Sequence, residues 1–418
     1  MKRKLFVAII FLMLLAVTSF PSFAAGNPQL QVNGDIVPAP GLSLENSISM
    51  IPVDVYARLA GADTDSSADA VTITENGTTM QMTLGSQEAI LGDKSVSLPA
   101  EPVNKDGSIL IPLRAVSSAF GFEVGWDAEK RLVTLTRSET RDGLSVSDLL
   151  AKSTEASLVY NTYSMEGLVN IGLDLTTDGK ADRQAPRSMT TKLTGQIQNK
   201  PLQVYMNQII TMPGAGGTNQ ETTVEVFMTQ EKMYIKAPGQ GWMASPMPFS
   251  PEFWQQQQDI QSDPLKAAAL LKEMGILLNF GNDTVVDGTG YYVVNATMDM
   301  DKFKQGYEKI LQQAVQSLPQ GAPANPAEMQ AVMQKLLENA QFDYSYSVLI
   351  NKETLISDII KFDGRMIITL DNPQAGASGE PGQMKMDMRF KGDMSISGLG
   401  GAFIAPDVSS ATELTVPQ

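Results

Sequence analysis

The sharpest alternation in the chain lies at residues 384–391, where Met384, Met386, Met388 and Phe390 interleave with Lys385, Asp387, Arg389 and Lys391. A period of two puts the apolar set on one face of a β-strand and the charged set on the other. Looser alternation marks residues 163–175, 189–197, 202–211 and 224–228, and Glu231-Lys232 turns the last of these back into residues 233–236. Residues 342–350, 355–362 and 365–370 predict further strands, the first two joined by a turn at 351–354. The pattern becomes helical in four places. Ser145 and Asp148 form a capping-box pair ahead of Leu149, Leu150 and Leu158. Asp263-Pro264 opens a helix that Gly275 closes. Asp301 begins a third, with Phe303, Tyr307, Ile310, Leu311 and Val315 on one side, and Asn325-Pro326 begins a fourth. Long strands with one polar face need cover on the other. Residues 145–418 are therefore expected to form one large antiparallel sheet with helices packed on one face, an α+β arrangement.

Upstream the pattern is different, and it repeats. Ile51-Pro52-Val53 matches Ile111-Pro112-Leu113 and Gly61 matches Gly121 at an offset of 60; Val71-Thr72-Ile73 matches Val133-Thr134-Leu135 at an offset of 62. Each unit has a proline-marked strand end, a helix of about two turns (55–59 and 115–120), a glycine suited to a left-handed C-cap, and a strand of period two. Residues 79–84 and 89–91 predict a hairpin turning near Gly85-Ser86, with a short strand at 95–98. Residues 28–138 thus form a small duplicated α+β domain of mostly antiparallel strands, and the polar stretch 139–144 is a linker. Asp63, Asp65, Ser67 and Asp69 alternate like the first ligand positions of a calcium loop, but Ala68 replaces the expected glycine and Thr74 the final glutamate. The other reading is an acidic turn equivalent to Trp126-Asp127.

The first residues stand apart from both domains. Lys2, Arg3 and Lys4 precede a 13-residue apolar run, Leu5 to Val17, and Ser22-Phe23-Ala24 supplies small residues at a cleavage site. Residues 1–24 read as a secretory signal peptide, the run being short of the ~20 residues that span a bilayer. The mature chain is expected to be soluble and secreted or cell-wall associated. Losing the three basic residues of the leader takes the formal charge from −15 to −18. That balance argues against nucleic acid as a partner, since such binding rests on neutralising phosphates with Lys and Arg. The 418 residues contain neither cysteine nor histidine. Disulfides, a lipobox anchor, Ser-His-Asp and Cys-His machinery and the usual transition-metal ligand sets are thereby excluded. No dinucleotide or phosphate-loop glycine pattern is present, so no cofactor and no catalytic residue is assigned.

Two resemblances follow from these residues. The run IPLRAVSSAFGFEVGWDAEKRLVTLTR resembles the copper amine oxidase N-terminal-like domain, a stalk module of exported bacterial proteins; it covers about a quarter of the chain. Copper amine oxidases hold copper with histidines and build a quinone from a tyrosine in a separate domain. A chain without histidine cannot carry that activity. Downstream, VFMTQEKMYIKAPGQGWM, VLINKETLISDIIKF and the terminal FIAPDVSSATEL are similar to an uncharacterised exported family with the LolA/LppX-like half-barrel. That resemblance implies a curved sheet and helices enclosing a cavity that carries lipids or lipoproteins. The chain departs from it in lacking a lipobox cysteine and in a long Gln/Ala/Pro-rich helical insertion.

The residues that fit a cavity mouth are Trp242, Met243, Phe249, Phe253 and Trp254, the aromatic passage after the second hairpin. Aromatic core packing is the competing explanation. Among the 23 methionines, Met206, Met228, Met233, Met384, Met386 and Met388 fall on predicted strands, where a flexible thioether suits either an ordinary core or a variable apolar ligand. Two functions are therefore expected: an exported protein binding a lipid or other apolar or amphipathic ligand, or a structural module binding a cell-wall or envelope protein through its surface. The first requires a cavity of several hundred Å³.

Overall fold

The computed structural model describes residues 28–181, 187–214, 218–247, 264–300, 302–306, 340–372 and 382–413. Residues 1–24, read above as a signal peptide, all but 302–306 of the predicted third helix, the predicted helix from 325, and Phe249, Phe253 and Trp254 lie outside this set.

The first domain runs through β1 (Gln29–Val32), β2 (Asp35–Val37), β3 (Ser43–Glu45), β4 (Ile48–Pro52), α1 (Val53–Ala60), β5 (Asp63–Ser66), β6 (Ala70–Glu75), β7 (Thr78–Thr83), β8 (Glu88–Leu91), β9 (Lys94–Ser97), β10 (Val103–Lys105), β11 (Ser108–Pro112), α2 (Leu113–Ala119), β12 (Glu123–Asp127) and β13 (Leu132–Thr136). Three small sheets result, ordered β12-β13-β1-β2, β10-β11-β4-β3 and β5 to β9. The repeat has a structural meaning. β4 and β11 pair antiparallel with Ile51 opposite Ile111, so the two units meet face to face and bury both isoleucines. Pro52 and Pro112 each end a strand and sit at the N-cap of the following helix, where a missing N–H costs nothing. Gly61 takes φ +75° at the C-cap of α1, a conformation open to glycine at no steric cost. The acidic stretch is not a turn. Asp63 to Ser66 form β5, paired with β6, and Trp126-Asp127 lie within β12, because both segments zip onto the neighbouring strand. Among the described residues no group of three acidic side chains is placed to hold a metal ion.

Arg137 sits where the two repeats meet. Its guanidinium donates to the carbonyl of Phe120 at 2.9 Å and to that of Ala60 at 3.4 Å, at the C-terminal ends of both helices, where the helix dipole favours a cation. It also stacks on Phe122 and pairs with buried Glu75 and with Glu139.

The second domain comprises α3 (Val146–Leu158), β14 (Thr162–Thr177), β15 (Lys180–Ala181), β16 (Ser188–Gln198), β17 (Gln203–Pro213), β18 (Asn219–Thr229), β19 (Lys232–Lys236), β20 (Met243–Pro246), α4 (Pro264–Glu273), β21 (Ile276–Phe280), β22 (Thr284–Val286), β23 (Thr289–Met298), β24 (Ala340–Asn351), β25 (Ser357–Asn372), β26 (Gly382–Ser397) and β27 (Thr412–Glu413). They form one open 14-stranded sheet, ordered β21-β23-β24-β25-β26-β14-β16-β17-β18-β19-β20-β27 with β15 and β22 off the path. All neighbours are antiparallel except β20 and β27. Two meanders, β14 to β20 and β21 to β26, are joined where β26 pairs with β14 from Ser164↔Ser397 to Thr177↔Met384. The capping box of α3 is formed, with Ser145 accepting from the Asp148 N–H. Leu149 is fully buried while Leu158 is exposed, since only the first turns of α3 reach the sheet. The break expected at Asp363-Gly364 is absent: β25 is one continuous strand.

The two domains meet at the β21 end. The C-terminal turn of α1 lies on the side of β21, β23 and β24 that carries Leu277, Asn279, Thr297 and Asp343. Asn279, itself buried, donates to the Leu59 carbonyl at 2.9 Å, Thr297 donates to the Arg58 carbonyl, and Arg58 pairs with Asp343 at 2.6 Å. Asn282 donates to Asp63 at 2.7 Å and to the Thr74 carbonyl at 2.9 Å. A run of ion pairs continues from Glu75 through Arg137, Glu139, Arg141 and Asp283 to Lys352.

Candidate functional site

Strand register decides which side chains share a face, because directly paired residues point the same way and alternate residues point apart. On β26 the face of Phe390 carries Met384, Met386, Met388, Met394 and Ile396. Following the pairs outward, it continues through Val169, Ile171, Leu173 and Leu175 on β14, Leu193 and Ile197 on β16, Val204, Met206 and Ile210 on β17, and Val224, Val226 and Met228 on β18. On the other side it runs through Ile360, Phe362, Met366, Ile368 and Leu370 on β25, Phe342, Tyr344, Tyr346 and Val348 on β24, Tyr292, Val294 and Met298 on β23, and Ile276, Leu278 and Phe280 on β21. Thr191, Gln208, Gln220 and Thr222 share the face, no Asp, Glu, Lys or Arg stands among these described positions, and Lys180 of β15, opposite Thr177, lies at its edge. Thirteen of the 23 methionines lie on this face, namely Met165, Met189, Met206, Met212, Met228, Met233, Met243, Met298, Met366, Met384, Met386, Met388 and Met394. None lies among the described residues of the opposite face.

The opposite face is a mosaic of charge. Arg365 grips Asp387 through two hydrogen bonds of 2.9 and 2.5 Å and holds its carboxyl below the usual carboxylate range. Lys192 pairs with Glu166 at 3.1 Å. This is the ordinary composition of a solvated sheet face.

The apolar face is covered unevenly. At the β21 end Leu149 of α3 packs with Phe280, Tyr292, Val294 and Ile350, all buried. Met300 closes over Met366 and Ile368. Along β26, by contrast, Met384, Met386, Met388, Phe390, Met394 and Ile396 are only half-buried. Glycines interrupt the apolar rows here. Gly364 lies directly opposite Phe390, and Gly392 directly opposite Phe362, so each ring lies over the glycine of the neighbouring strand. A Cβ at position 392 would stand 2.8 Å from the Phe362 ring, and one at 364 would run into the Phe390 ring. The close approach is what a strand-interior glycine permits. Around Phe390 the rings of Phe342, Tyr344 and Phe362 gather at centroid distances of 5.9, 6.0 and 6.5 Å, and Tyr346 follows Tyr344 at 5.8 Å. Burial pushes the phenols of Tyr163 and Tyr344 up and that of Tyr346 to about 12, so the hydroxyls on this face stay neutral. An open depression of ≈ 570 Å³ crosses β16, β14, β26 and β25, but eight of its twelve lining residues, among them Asp363, Arg365, Arg389 and Lys391, belong to the charged face, so it is not the cavity expected over the apolar one. Strands alone line it, whereas the expected cavity lay between sheet and helices.

The residues singled out from the sequence divide. Met243 stands on the apolar face, opposite Ile235. Trp242 is buried on the other side, its carbonyl accepting from Thr412 at 2.9 Å and its ring under Lys236. Phe249, Phe253 and Trp254 lie outside the described residues. The cluster of Phe342, Tyr344, Tyr346, Phe362 and Phe390 escaped the sequence reading. Its signal was there in the i, i+2 spacing of the first three, but only register brings Phe362 and Phe390 beside them.

Fold and face together define the class: a duplicated α+β domain joined to a long open antiparallel sheet whose one face is uncharged and rich in methionine. The chain belongs to a family of unknown function, DUF6612, whose profile matches residues 145–396. The copper amine oxidase N-terminal domain matches residues 31–135. Among solved structures, the lipoprotein LppX of Mycobacterium tuberculosis is similar at 13% identity over 63% of this chain and 100% of its own, with a TM-score of 0.26. A domain named for outer membrane lipoprotein sorting, from Vibrio parahaemolyticus, is similar at 7% identity over 59% of this chain and 93% of its own, with a TM-score of 0.18. No curated protein matches the chain. No helix among the described residues is long and apolar enough to cross a membrane.

Proposed function

We propose that the chain is an exported, non-enzymatic protein of the cell envelope that holds a lipid or other apolar or amphipathic ligand against the uncharged face of its long sheet, with the first domain as spacer. The observation that carries this reading is the apolar face itself, continuous across the sheet yet only half-buried along β26. A face serving only as core has no reason to stay half-covered, since each methylene removed from water is worth about 0.8 kcal/mol. Export rests on the leader-like residues 1–24, and retention at the surface would fall to a cell-wall or envelope protein partner. Met243 belongs to the proposed ligand contacts, with Phe249, Phe253 and Trp254 beyond it in the chain and Trp242 backing the same strand. Against catalysis stands the absence of histidine and cysteine. The test is native mass spectrometry of gently purified protein, before and after incubation with phosphatidylcholine vesicles. Bound lipid is expected in at least the second state. A clean apo mass in both overturns the reading and leaves a structural module of the cell surface in its place.

A further inference from the structure

A ligand on this face would meet three properties that together decide what it can be, granted the reading of the face as a lipid site. The first is the lack of charge. Along the sheet path from β21 to β20 every ionised side chain lies on the opposite face, Lys180 of the off-path β15 standing at the rim opposite Thr177, and the tyrosines that remain are held neutral. A buried headgroup charge would find no ionised partner among these positions, and an unpaired buried charge is costly, so headgroups of either sign stay in water. The second is adaptability. Met165, Met366, Met384, Met386, Met388 and Met394 occupy the central rows on β14, β25 and β26. Unbranched thioethers with three free torsions repack around chains of different shape. The third is length. At about 3.3 Å per residue, the row from Met384 to Ile396 runs for roughly 40 Å, against roughly 15 Å for one leaflet of a bilayer core.

We propose that the site selects by hydrocarbon alone: it takes long chains, single or paired, with little regard to branching or unsaturation and none to headgroup charge. The aromatic cluster around Phe390 is the rigid part of the face, and the methionine rows are the compliant part.

The experiment offers the purified protein phosphatidylcholine vesicles doped in turn with labelled dipalmitoyl-, dioleoyl- and diphytanoyl-phosphatidylcholine, dipalmitoyl-phosphatidylglycerol and dipalmitoylglycerol, and measures uptake. Uptake is expected to agree within about threefold across the panel. A preference of about tenfold or more for one headgroup charge or one chain type overturns the proposal. No uptake of any lipid overturns the lipid reading instead, so the two failures are distinct. Replacing the compliant row with stiff side chains, as Met384→Ile, Met386→Ile and Met388→Ile together, is expected to spread uptake of the three chain types beyond about tenfold. A folded triple variant as tolerant as the parent overturns the role given to methionine. If the variant does not fold, the panel on the unaltered protein still decides.

Discussion

Replacing Glu75 with glutamine should change how stability depends on pH, and the size of the change can be worked from the site. Glu75 ends β6 inside the first domain, 4% exposed, facing Arg137 across the meeting point of the two repeats. Burial raises its pKa from 4.5 to about 7, the Arg137 charge only partly offsetting the desolvation. The folded state therefore holds a proton that the unfolded chain releases between those two values. With the folded pKa raised, the associated stability is fully present below about 4.5 and is lost as pH rises through about 7. A proton held by the folded state alone changes stability by about 1.4 kcal/mol for each pH unit crossed, so the loss over this interval amounts to about 3 kcal/mol. Glutamine keeps the shape and cannot ionise. The difference in unfolding free energy, Glu75→Gln minus parent, is thus expected to rise by about 3 kcal/mol between about pH 4 and pH 8, in favour of the variant. Urea unfolding followed by far-ultraviolet circular dichroism at a series of pH values measures it, and taking the difference removes groups common to both proteins. A difference that stays flat within about 1 kcal/mol, or that moves in the parent's favour as pH rises, refutes the account of Glu75 as a carboxyl whose charge the fold disfavours.

Two further substitutions probe the sheet and the joint. Gly364→Ala drives a Cβ into the ring of Phe390 and to 3.0 Å from the Asp343 carbonyl, and should cost about 1–3 kcal/mol, seen as a lowered melting temperature, whereas Gly290→Ala, whose Cβ would meet only the Lys352 side chain at 3.6 Å, should cost less. Asn279→Ala leaves the Leu59 carbonyl without its side-chain donor and should cost about 1–3 kcal/mol; amide exchange is expected to quicken in β21 and at the end of α1 before it does in β26.

Much of the fold was legible because its determinants are local. The Met384–Lys391 alternation defined a strand and its apolar side, Ser145 and Asp148 defined a helix start, and the two proline-marked strand ends exposed the duplication. Where reading along the chain erred, a neighbour from elsewhere overruled the local preference. Gly364 looked like a break, but Phe390 on the adjacent strand fills the space a side chain would need, and β25 continues through it. Asp63 to Ser66 looked like a turn, but β6 supplies a partner for the backbone. Trp242 and Met243 looked like one site, yet neighbours in a strand point to opposite faces, and only the pairing of Ile235 with Met243 shows which belongs to the apolar side.

The amino-acid sequence by itself determined which residues of each strand could stand together, because a period of two is a property of the backbone. It also determined that no histidine or cysteine chemistry is available. What only the tertiary structure decided is that a dozen such half-faces become one surface. β14 and β26 are adjacent in the sheet though Ser164 and Ser397 stand more than two hundred residues apart, and nothing local specifies that pairing. Register then carries the apolar side of each strand onto that of the next, and the first domain closes against the far end of the same sheet through Asn279 and Arg58. A face without charge is thus a property of the assembled sheet, since each strand that contributes to it carries its polar residues on the reverse.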